Sequence, residues 1–380
     1  MTLSLADVVG LFIALFFGIN LVVLTLRMVR TRRPAPSLAA SLGFGTLGGL
    51  MAILGSQNAF PGLAHLDRVL LATQLSFYGL QFFFFFVFLE HLNARRLSTS
   101  KVAVALALVL LQNFSLWGIV GFEPYSEVTA WLWLFADVGY NTLALFVFVV
   151  VGVPLYVKAY RYSREGKALL LGVALLVVGA GYVEMSLLDY VGFAKDYFPS
   201  LTAAFDAVES VRDLGEVLPL AGLVIFTLVY VSDVSYVYRL PFDVPLLLVA
   251  YKSGEVIFSR HFQTKRELRV NDLLFSGMIS AINNVFSEIF RERGESSSLG
   301  IQEISSKDVQ VFIEEGELVT VVVVTGVVSH FLARATRSFR EDFEARFGYD
   351  IKTGTAEVSK FASAADLIPG SFPFFRFEGK

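Results

Sequence analysis

The sequence predicts a two-part membrane protein: an all-α bundle of seven transmembrane helices followed by an α+β cytoplasmic domain. Hydrophobic residues make up 55% of the 380 residues. Seven apolar stretches each approach the roughly 20 residues that a helix needs to cross a bilayer. Charged residues become about twice as dense after residue 240, because residues 1–240 hold 15 basic and 15 acidic side chains and the remainder holds 16 and 19. We therefore expect the domain boundary at Pro241.

The seven predicted spans occupy the first domain, residues 1–240, and the cytoplasmic domain occupies residues 241–380. The first span is preceded by no Lys or Arg and is longer than the apolar core of a signal peptide, so we expect a retained helix. The spans run over residues 8–29, 37–56, 69–90, 102–121, 130–157, 168–190 and 213–236.

Positive charge alternates between the loops and predicts the orientation. The loops after the second, fourth and sixth spans carry only Arg68, Lys195 and Arg212. By the positive-inside rule, the N-terminus lies outside and the C-terminal domain is cytoplasmic, as expected for an integral plasma membrane protein. The basic loops follow the first, third and fifth spans and contain Arg27, Arg30, Arg32, Arg33, Arg95, Arg96, Lys101, Lys158, Arg161, Arg164 and Lys167.

Composition and motifs argue against several function classes. The chain has no Cys, four scattered His and a net charge of -3. These counts favour neither a thiolate metal site, nor a His-only metal site, nor nucleic-acid binding. The nucleophile-elbow and H-E-x-x-H signatures are missing as well. We therefore expect no cofactor, no metal and no enzymatic activity.

Polar residues inside the spans mark a candidate ligand or ion pocket, because such residues are costly in hydrocarbon unless they face water or one another. Asp137 and Glu184 each lie about eight residues, roughly 12 Å, below the predicted outer surface and are expected to share one pocket. Glu216 is its third charged member. Asp189 and Asp213 are expected at the interface instead. The uncharged members of the proposed pocket are Gln74, Gln81, Gln112, Tyr140, Asn141 and Tyr182.

An alternative is that these groups satisfy one another, line a shallow water-filled crevice or lie in the headgroup region. The pocket and the alternative are about equally supported for Asp137 and Glu184. The inner halves of the fourth, fifth and sixth spans are almost entirely Val, Leu, Ala, Phe and Gly. A pocket closed on that side favours a sensor over a transporter.

The C-terminal domain has the predicted element order β-β-α-β-β-β-α with a final short helix. Strands are expected at 244–251, 255–262, 299–305, 309–314 and 318–328, and helices at 271–293, 330–347 and 355–366. Lys252-Ser253-Gly254 and Glu315-Gly316-Glu317 are expected to form turns. Ser329 is expected to cap the helix that Gly348 ends.

That order, together with Leu247-Val249-Tyr251, Val311-Phe312-Ile313 and the run Val321 to Val324, resembles the longin and roadblock group of profilin-like domains. The resemblance implies a non-catalytic adaptor that binds small GTPases or trafficking proteins and that dimerises through a sheet edge or helix. The membrane domain is similar, in layout only, to the seven-helix sensor regions that precede bacterial and archaeal signalling domains.

Four residues are candidates for partner binding. Glu303 lies on the strand predicted at the sheet edge, which either pairs with a second copy or is protected from pairing by its charge. Arg334, Arg337 and Arg340 form a row along one helix that suits an acidic partner or anionic lipid, although a solvated face explains the row more simply.

Three functions follow as hypotheses, and the third, an intramembrane enzyme, is favoured only by the acidic residues of the spans. The first is a membrane receptor or scaffold that couples the outward-facing pocket to the cytoplasmic adaptor domain. The second is a proton- or cation-coupled transporter with a regulatory cytoplasmic domain.

Overall fold

The computed structural model describes residues 5–31, 35–56, 64–122, 126–195, 197–232, 244, 246–262, 277, 281, 303–305, 309–353 and 358–372. The chain divides into two compact units, Met1–Glu90 with Leu97–Val237, and His91–Arg96 with Tyr238–Lys380. The predicted helix at 271–293 falls outside the described residues, except that Gly277 and Ala281 are helical. Residues 299–302 of the third predicted strand also lie outside them.

The first unit consists of helices whose bounds extend beyond most of the predicted spans. They are α1 (Leu5–Thr31), α2 (Pro36–Ser56), α3 (Ala64–Asn93, whose last residues belong to the second unit), α4 (Thr99–Gly121), α5 (Glu127–Leu145), a π-helical segment (Phe146–Gly152), α6 (Val153–Ser163), α7 (Gly166–Lys195), a 3₁₀ turn (Pro199–Leu201), α8 (Thr202–Glu209) and α9 (Arg212–Ser232).

Six helices among the described residues are long and apolar enough to cross a membrane, which gives the chain the character of a membrane protein. They are α1 to α4, the continuous segment Glu127–Arg161, and α7. In α9 the apolar part is shorter, Val217–Ser232. The predicted end of this span, residues 233–236, lies outside the described residues.

Helix α3 makes contacts in many directions because phenylalanine occupies five successive positions, Phe82 to Phe86. A helix that is hydrophobic all round is expected in the interior of a bundle. Phe84 stacks on Phe44 of α2 at 5.5 Å, and Phe85 meets Phe226 of α9 edge-to-face at 6.1 Å. Phe86 lies 5.7 Å from the ring of Phe146. The phenylalanine run thus attaches α3 to three other parts of the bundle.

The fifth span contains a π-helical segment, Phe146–Gly152, that the sequence pattern did not reveal. Pro154 lies two residues after its end, and a proline ring clashes with the carbonyl four residues earlier in a regular α-helix. The wider turn, in which the Val153 N–H donates to the Phe148 carbonyl, relieves that clash. Segments of this kind occur frequently at functional sites.

Glycines allow α7 and α9 to approach closely. A Cβ atom at Gly181 would overlap the ring of Pro219, and one at Gly222 would overlap Val178. Such small residues are typical of tight helix packing in membranes. Pro219 also leaves the Gly215 carbonyl without its regular helical donor, since proline has no N–H.

The second unit contains a five-stranded antiparallel sheet in the order β2-β1-β5-β4-β3. Its strands are β1 (Leu246–Tyr251), β2 (Val256–His261), β3 (Glu303–Ser305), β4 (Gln310–Glu315) and β5 (Val319–Thr325). The hairpin turn places Gly254 at φ 92°, a conformation that favours glycine. Both faces of β5 are buried, which explains why Val321 to Val324 read as a continuous apolar run.

Helix α10 (His330–Lys352) packs against one face of this sheet. Ser329 caps it as predicted, because its Oγ accepts a 3.1 Å hydrogen bond from the Leu332 N–H. Phe339, Phe343 and Phe347 are buried in the shared core. The prediction that Gly348 ends the helix was wrong. The helix continues to Lys352, because burial of the Ile351 side chain stabilises one further turn.

The remaining short elements differ in kind from the predictions. The last predicted helix is a 3₁₀ helix, Val358–Leu367, followed by the single turn α11 (Ile368–Ser371). The loop between the sixth and seventh predicted spans contains α8, where the Lys195 ammonium lies 3.2 Å from the centre of the Phe205 ring.

Candidate functional site

A cavity of about 200 Å³ lies between α3, α4, α5, α7 and α9, and we refer to it as the polar cavity. It is situated toward the end of the bundle where α5 begins and α7 ends. Its lining combines three carboxylates with one guanidinium. The polar and charged lining residues are Gln112, Asp137, Tyr140, Asn141, Glu184, Asp189 and Arg212.

Hydrogen bonds fix two amides of the polar cavity. The Asn141 Nδ2 donates to Asp189 Oδ2 at 2.9 Å, which joins α5 to α7. The Gln112 Nε2 donates to the Leu75 carbonyl at 2.7 Å, which joins α4 to α3. Gln112 is fully buried, and its Oε1 has no hydrogen-bond partner among the described residues. This acceptor is buried against Gly79 of α3.

Glycines make room for the polar side chains of this cavity. The Glu184 carboxylate occupies the space that a Cβ atom at Gly215 of α9 would fill. The Gln112 amide likewise occupies the space beside Gly79 of α3. Only a residue without a Cβ permits these close approaches, so the glycines help to position the polar groups.

A second cavity of about 320 Å³ adjoins the first, and we refer to it as the apolar cavity. The two share Leu75, Tyr140 and Met185 as lining residues. Tyr140 Oη lies 3.1 Å from Tyr182 Oη, and Phe82 packs against both tyrosine rings. The aromatic residues among its lining come from α1, α3, α5, α7 and α9 and the π-helical segment: Phe17, Tyr78, Phe82, Phe85, Tyr140, Phe148, Tyr182 and Phe226.

The structure distributes the predicted pocket residues over the two cavities. Gln112, Asp137, Asn141 and Glu184 line the polar cavity, and Tyr140 lines both. Gln74, Gln81 and Tyr182 line the apolar cavity. The side chain of Glu216 lies outside the described part of the structure.

Two members of the polar cavity, Asp189 and Arg212, were not anticipated. Asp189 was expected at the interface, and its side chain lines the cavity, where it accepts a hydrogen bond from Asn141. Arg212 begins α9 and had been counted only as a loop charge. The spacing of Asp189 from Glu184 and Tyr182 along one helix was a signal that could have indicated the first of these.

Other buried polar pairs lie outside both cavities. Lys101 Nζ lies 2.8 Å from Oε1 of Glu90, which is almost fully buried. The Asn20 Nδ2 donates to Thr227 Oγ1 at 2.8 Å between α1 and α9. These pairs satisfy polar groups within the bundle and explain why such residues are tolerated there.

No group of three or more His, Cys, Asp or Glu among the described residues is arranged to hold a metal ion. The carboxylates of the polar cavity are hydrogen-bond acceptors when ionised, and they attract positive charge.

In the second unit, two of the predicted partner-binding arginines form internal ion pairs. Arg337 Nε lies 2.8 Å from Glu314 Oε1, and this contact raises the pKa of the guanidinium. Arg340 contacts Glu344 at 2.9 Å and Glu341 at 3.2 Å. Arg334 is exposed. Two of the three arginines therefore form ion pairs within the domain itself.

Glu303, the fourth candidate, lies on β3 at an edge of the described sheet. Its carboxylate lies 3.7 Å from Arg95, in the His91–Arg96 segment of the same unit. The Arg95 guanidinium also lies over the Phe312 ring, 5.2 Å from its centre. The His330 N–H donates to the Ala94 carbonyl at 3.1 Å. These contacts explain why His91–Arg96 belongs to the C-terminal unit.

No family model matches the chain, and neither the curated proteins nor the solved structures include a match.

Proposed function

We propose that this protein is a seven-helix membrane receptor or scaffold in which the polar cavity binds a small ligand and the C-terminal domain acts as an adaptor. Helix α9 is its seventh crossing, since 21 residues span about 31 Å of helix and α9 packs against α1 and α7. The N-terminus lies outside the plasma membrane, and the C-terminal domain is cytoplasmic.

The observation that carries this proposal is the polar cavity itself. Asp137, Glu184 and Asp189, together with Gln112 and Arg212, come from four helices to line one space. Polar groups at this depth are a mark of function in membrane proteins. On the side toward the apolar cavity, the rings of Phe82, Tyr140, Tyr182 and Phe148 pack together. This packing favours a closed sensing pocket over a continuous polar path.

The adaptor role rests on the C-terminal domain. A five-stranded antiparallel sheet with a helix packed on one face fits the resemblance to longin and roadblock domains. The partner is then a small GTPase-like or trafficking protein, and β3 is the candidate edge for a homodimer.

Orientation can be tested directly because the chain has no native Cys. Single cysteines at exposed Ser200 and exposed Ser100 lie on loops predicted to face opposite sides. We expect a membrane-impermeant maleimide to label Ser200→Cys in intact cells and Ser100→Cys only after permeabilisation. The reverse labelling pattern would contradict the proposed topology.

The adaptor role is tested by using the full-length protein in nanodiscs as bait, with GDP or a non-hydrolysable GTP analogue present. We expect a GTPase that is retained with one nucleotide and released with the other. Absence of any nucleotide-sensitive partner would count against this role.

A proton- or cation-coupled transporter is the second candidate, favoured by Asp137, Glu184 and Asp189 within the bundle. Flux measurements in proteoliposomes that contain a pH-sensitive dye distinguish a transporter from a receptor. Proton or cation flux that disappears in Asp137→Asn would favour the transporter.

A further inference from the structure

The apolar cavity is large enough to be a binding site without any part of the polar cavity. Its volume of about 320 Å³ falls at the lower end of the range of roughly 300 to 1,000 Å³ typical of small-molecule sites. The packed rings of Phe82, Tyr140, Tyr182 and Phe148 lie on the side toward the polar cavity. A ligand of the apolar cavity therefore has to match the lining of this space alone.

One face of α3 gives the apolar cavity a direction. Gln74, Tyr78, Gln81 and Phe85 line it at spacings of four, three and four residues, and residues spaced in this way share one face of a helix. From Gln74 to Phe85 this face extends over roughly 16 Å. Along it, the side chains change from hydrogen-bonding to purely apolar, so an elongated ligand with one polar end fits the face.

The apolar end of this face is surrounded by other phenylalanine rings. Phe85 lies 5.8 Å from the ring of Phe148 in the π-helical segment and 6.1 Å from the ring of Phe226 on α9. All three residues line the cavity. This end suits a hydrocarbon body.

The lining carries no formal charge. None of the described residues that line the apolar cavity is Asp, Glu, Lys, Arg or His. A charge without a partner is costly to place inside the hydrocarbon region. The composition of the lining therefore favours an uncharged ligand.

A buried amide adds an independent indication of a hydrogen-bonding group on that ligand. Gln81 is 4% exposed, lines the cavity and has no hydrogen-bond partner among the described residues. Its amide atoms remain accessible, in contrast to the Gln112 Oε1 atom, which is buried against Gly79. Because buried polar groups are normally hydrogen-bonded, a hydroxyl or carbonyl group of a ligand would complete the Gln81 amide.

We propose that the apolar cavity binds an uncharged single-chain amphiphile, with a hydroxyl or carbonyl group at Gln81 and its apolar chain along Phe85, Phe148 and Phe226. A volume at the lower end of the small-molecule range suits one chain better than two. This site is additional to the polar cavity, to which the proposed function assigns a different ligand.

The test compares three ten-carbon probes that share one chain: decanol, decyltrimethylammonium and decanesulfonate. Binding to the full-length protein in nanodiscs is measured with radiolabelled probes and by the shift in melting temperature, with empty nanodiscs as the reference for partition into lipid. We expect saturable binding of decanol that is at least tenfold tighter than that of either charged probe.

Two variants place the probe in the cavity. Leu223→Trp fills part of the space and should weaken decanol binding at least tenfold, whereas the matched control Leu228→Trp, at an exposed position of the same helix, should not. Gln81→Leu keeps the size of the side chain and removes the amide, so we expect binding about two- to tenfold weaker. Its control is Asn113→Leu, because Asn113 bonds within α4 and lines neither cavity.

Competition distinguishes a free amphiphile from a bilayer lipid as the source of the occupant. Dioleoylglycerol is uncharged but has two chains, and we expect that it does not displace decanol. Displacement would overturn the assignment to a single chain.

Three other outcomes would contradict the inference. Uptake of decanol equal to that of empty nanodiscs would show partition into lipid only, and tighter binding of a charged probe would exclude an uncharged ligand. Undiminished binding in both Leu223→Trp and Gln81→Leu would place decanol outside the cavity. Asp137→Asn, which alters only the polar cavity, should leave decanol binding unchanged, so failure of this site is distinguishable from failure of the polar cavity.

Discussion

Asn141 on α5 donates a 2.9 Å hydrogen bond from Nδ2 to Oδ2 of Asp189 on α7. Asn141 is buried, so this bond joins two helices at the wall of the polar cavity. The bond ties together a residue predicted for the pocket and one that had been expected at the membrane interface.

Replacing these partners should reveal a coupling between α5 and α7. We expect Asn141→Ala and Asp189→Ala to show a coupling free energy of about 0.6 to 1.7 kcal/mol in a double-mutant cycle, the size found for hydrogen bonds between membrane helices. The measurement is unfolding of the purified protein in mixed micelles. Asn113→Ala is the control, because Asn113 bonds only to the Val109 carbonyl of its own helix. Simple additivity would contradict the inferred link.

The ion pair of Glu90 and Lys101 should be asymmetric in its response to mutation. Glu90 is 2% exposed and Lys101 is 42% exposed, with 2.8 Å between Nζ and Oε1. Lys101→Met leaves a buried carboxylate without its partner, and we expect a loss of about 3 to 5 kcal/mol in the free energy of unfolding. Adding Glu90→Gln should restore most of that loss.

The control for this pair is Arg96→Met, an exposed cation nearby, which should change the stability by less than about 0.5 kcal/mol. A double variant as unstable as Lys101→Met alone would show that the lysine stabilises the protein in some other way.

Two glycines of the C-terminal unit should respond to alanine in opposite directions. A Cβ atom at Gly316 would overlap the Glu344 carboxylate and lie 2.8 Å from Cδ of Arg340. The same carboxylate accepts the N–H groups of Leu318 and Val319 at 2.8 and 3.2 Å, so its displacement breaks the turn. We expect Gly316→Ala to destabilise the domain by about 1 to 3 kcal/mol.

Gly348→Ala is the matched substitution, because Gly348 lies inside α10 and its Cβ would meet only Leu318 at 3.4 Å. It should stabilise the domain by about 0.5 to 1 kcal/mol through helix propensity. Thermal unfolding of both variants measures whether the melting temperature falls in Gly316→Ala and rises in Gly348→Ala. Equal effects would show that the contacts around Gly316 do not matter.

Stability of the C-terminal unit should fall in mild acid because of His330. Burial lowers the pKa of His330 below its ordinary value of 6.5, and the neighbouring His91, Arg334 and Arg95 lower it further. The ring of His91 stacks on it at 4.6 Å. The unfolded state therefore binds the proton more readily. This contribution to stability is complete above about pH 6.5 and is lost as the pH decreases from there.

We expect a lower melting temperature at pH 5.5 than at pH 8, and a smaller difference in His330→Gln. His261→Gln, on an exposed strand end, serves as the control and should keep the original difference. An unchanged pH dependence in His330→Gln would exclude His330 as its origin.

The positions of the helices and strands were readable because apolar length and alternation reflect local geometry. Six of the seven predicted spans coincide with long apolar helices, and the strands follow the predicted order. The π-helical segment at Phe146–Gly152 and the extension of α10 past Gly348 were missed. Both depend on how neighbouring residues pack, which local sequence patterns do not contain.

The candidate site was only partly predictable for the same reason. Depth in a span indicated Asp137 and Glu184, since polar residues in hydrocarbon demand an explanation. Depth alone could not assign Gln81 and Tyr182 to an apolar cavity or bring Arg212 and Asp189 into the polar one. Those placements depend on the rotation of each helix about its axis.

The sequence by itself determined that this chain has segments long and apolar enough to cross a membrane, followed by a domain with a β-sheet, because hydrophobic length and period are local properties. Only the tertiary structure decided which polar residues share a cavity. Helices α7 and α9 approach closely at Gly181, Gly215 and Gly222, and this approach places Glu184 beside α9. The hydrogen bond from Asn141 places Asp189 beside α5. These contacts join residues far apart in the chain, and packing between helices fixes them.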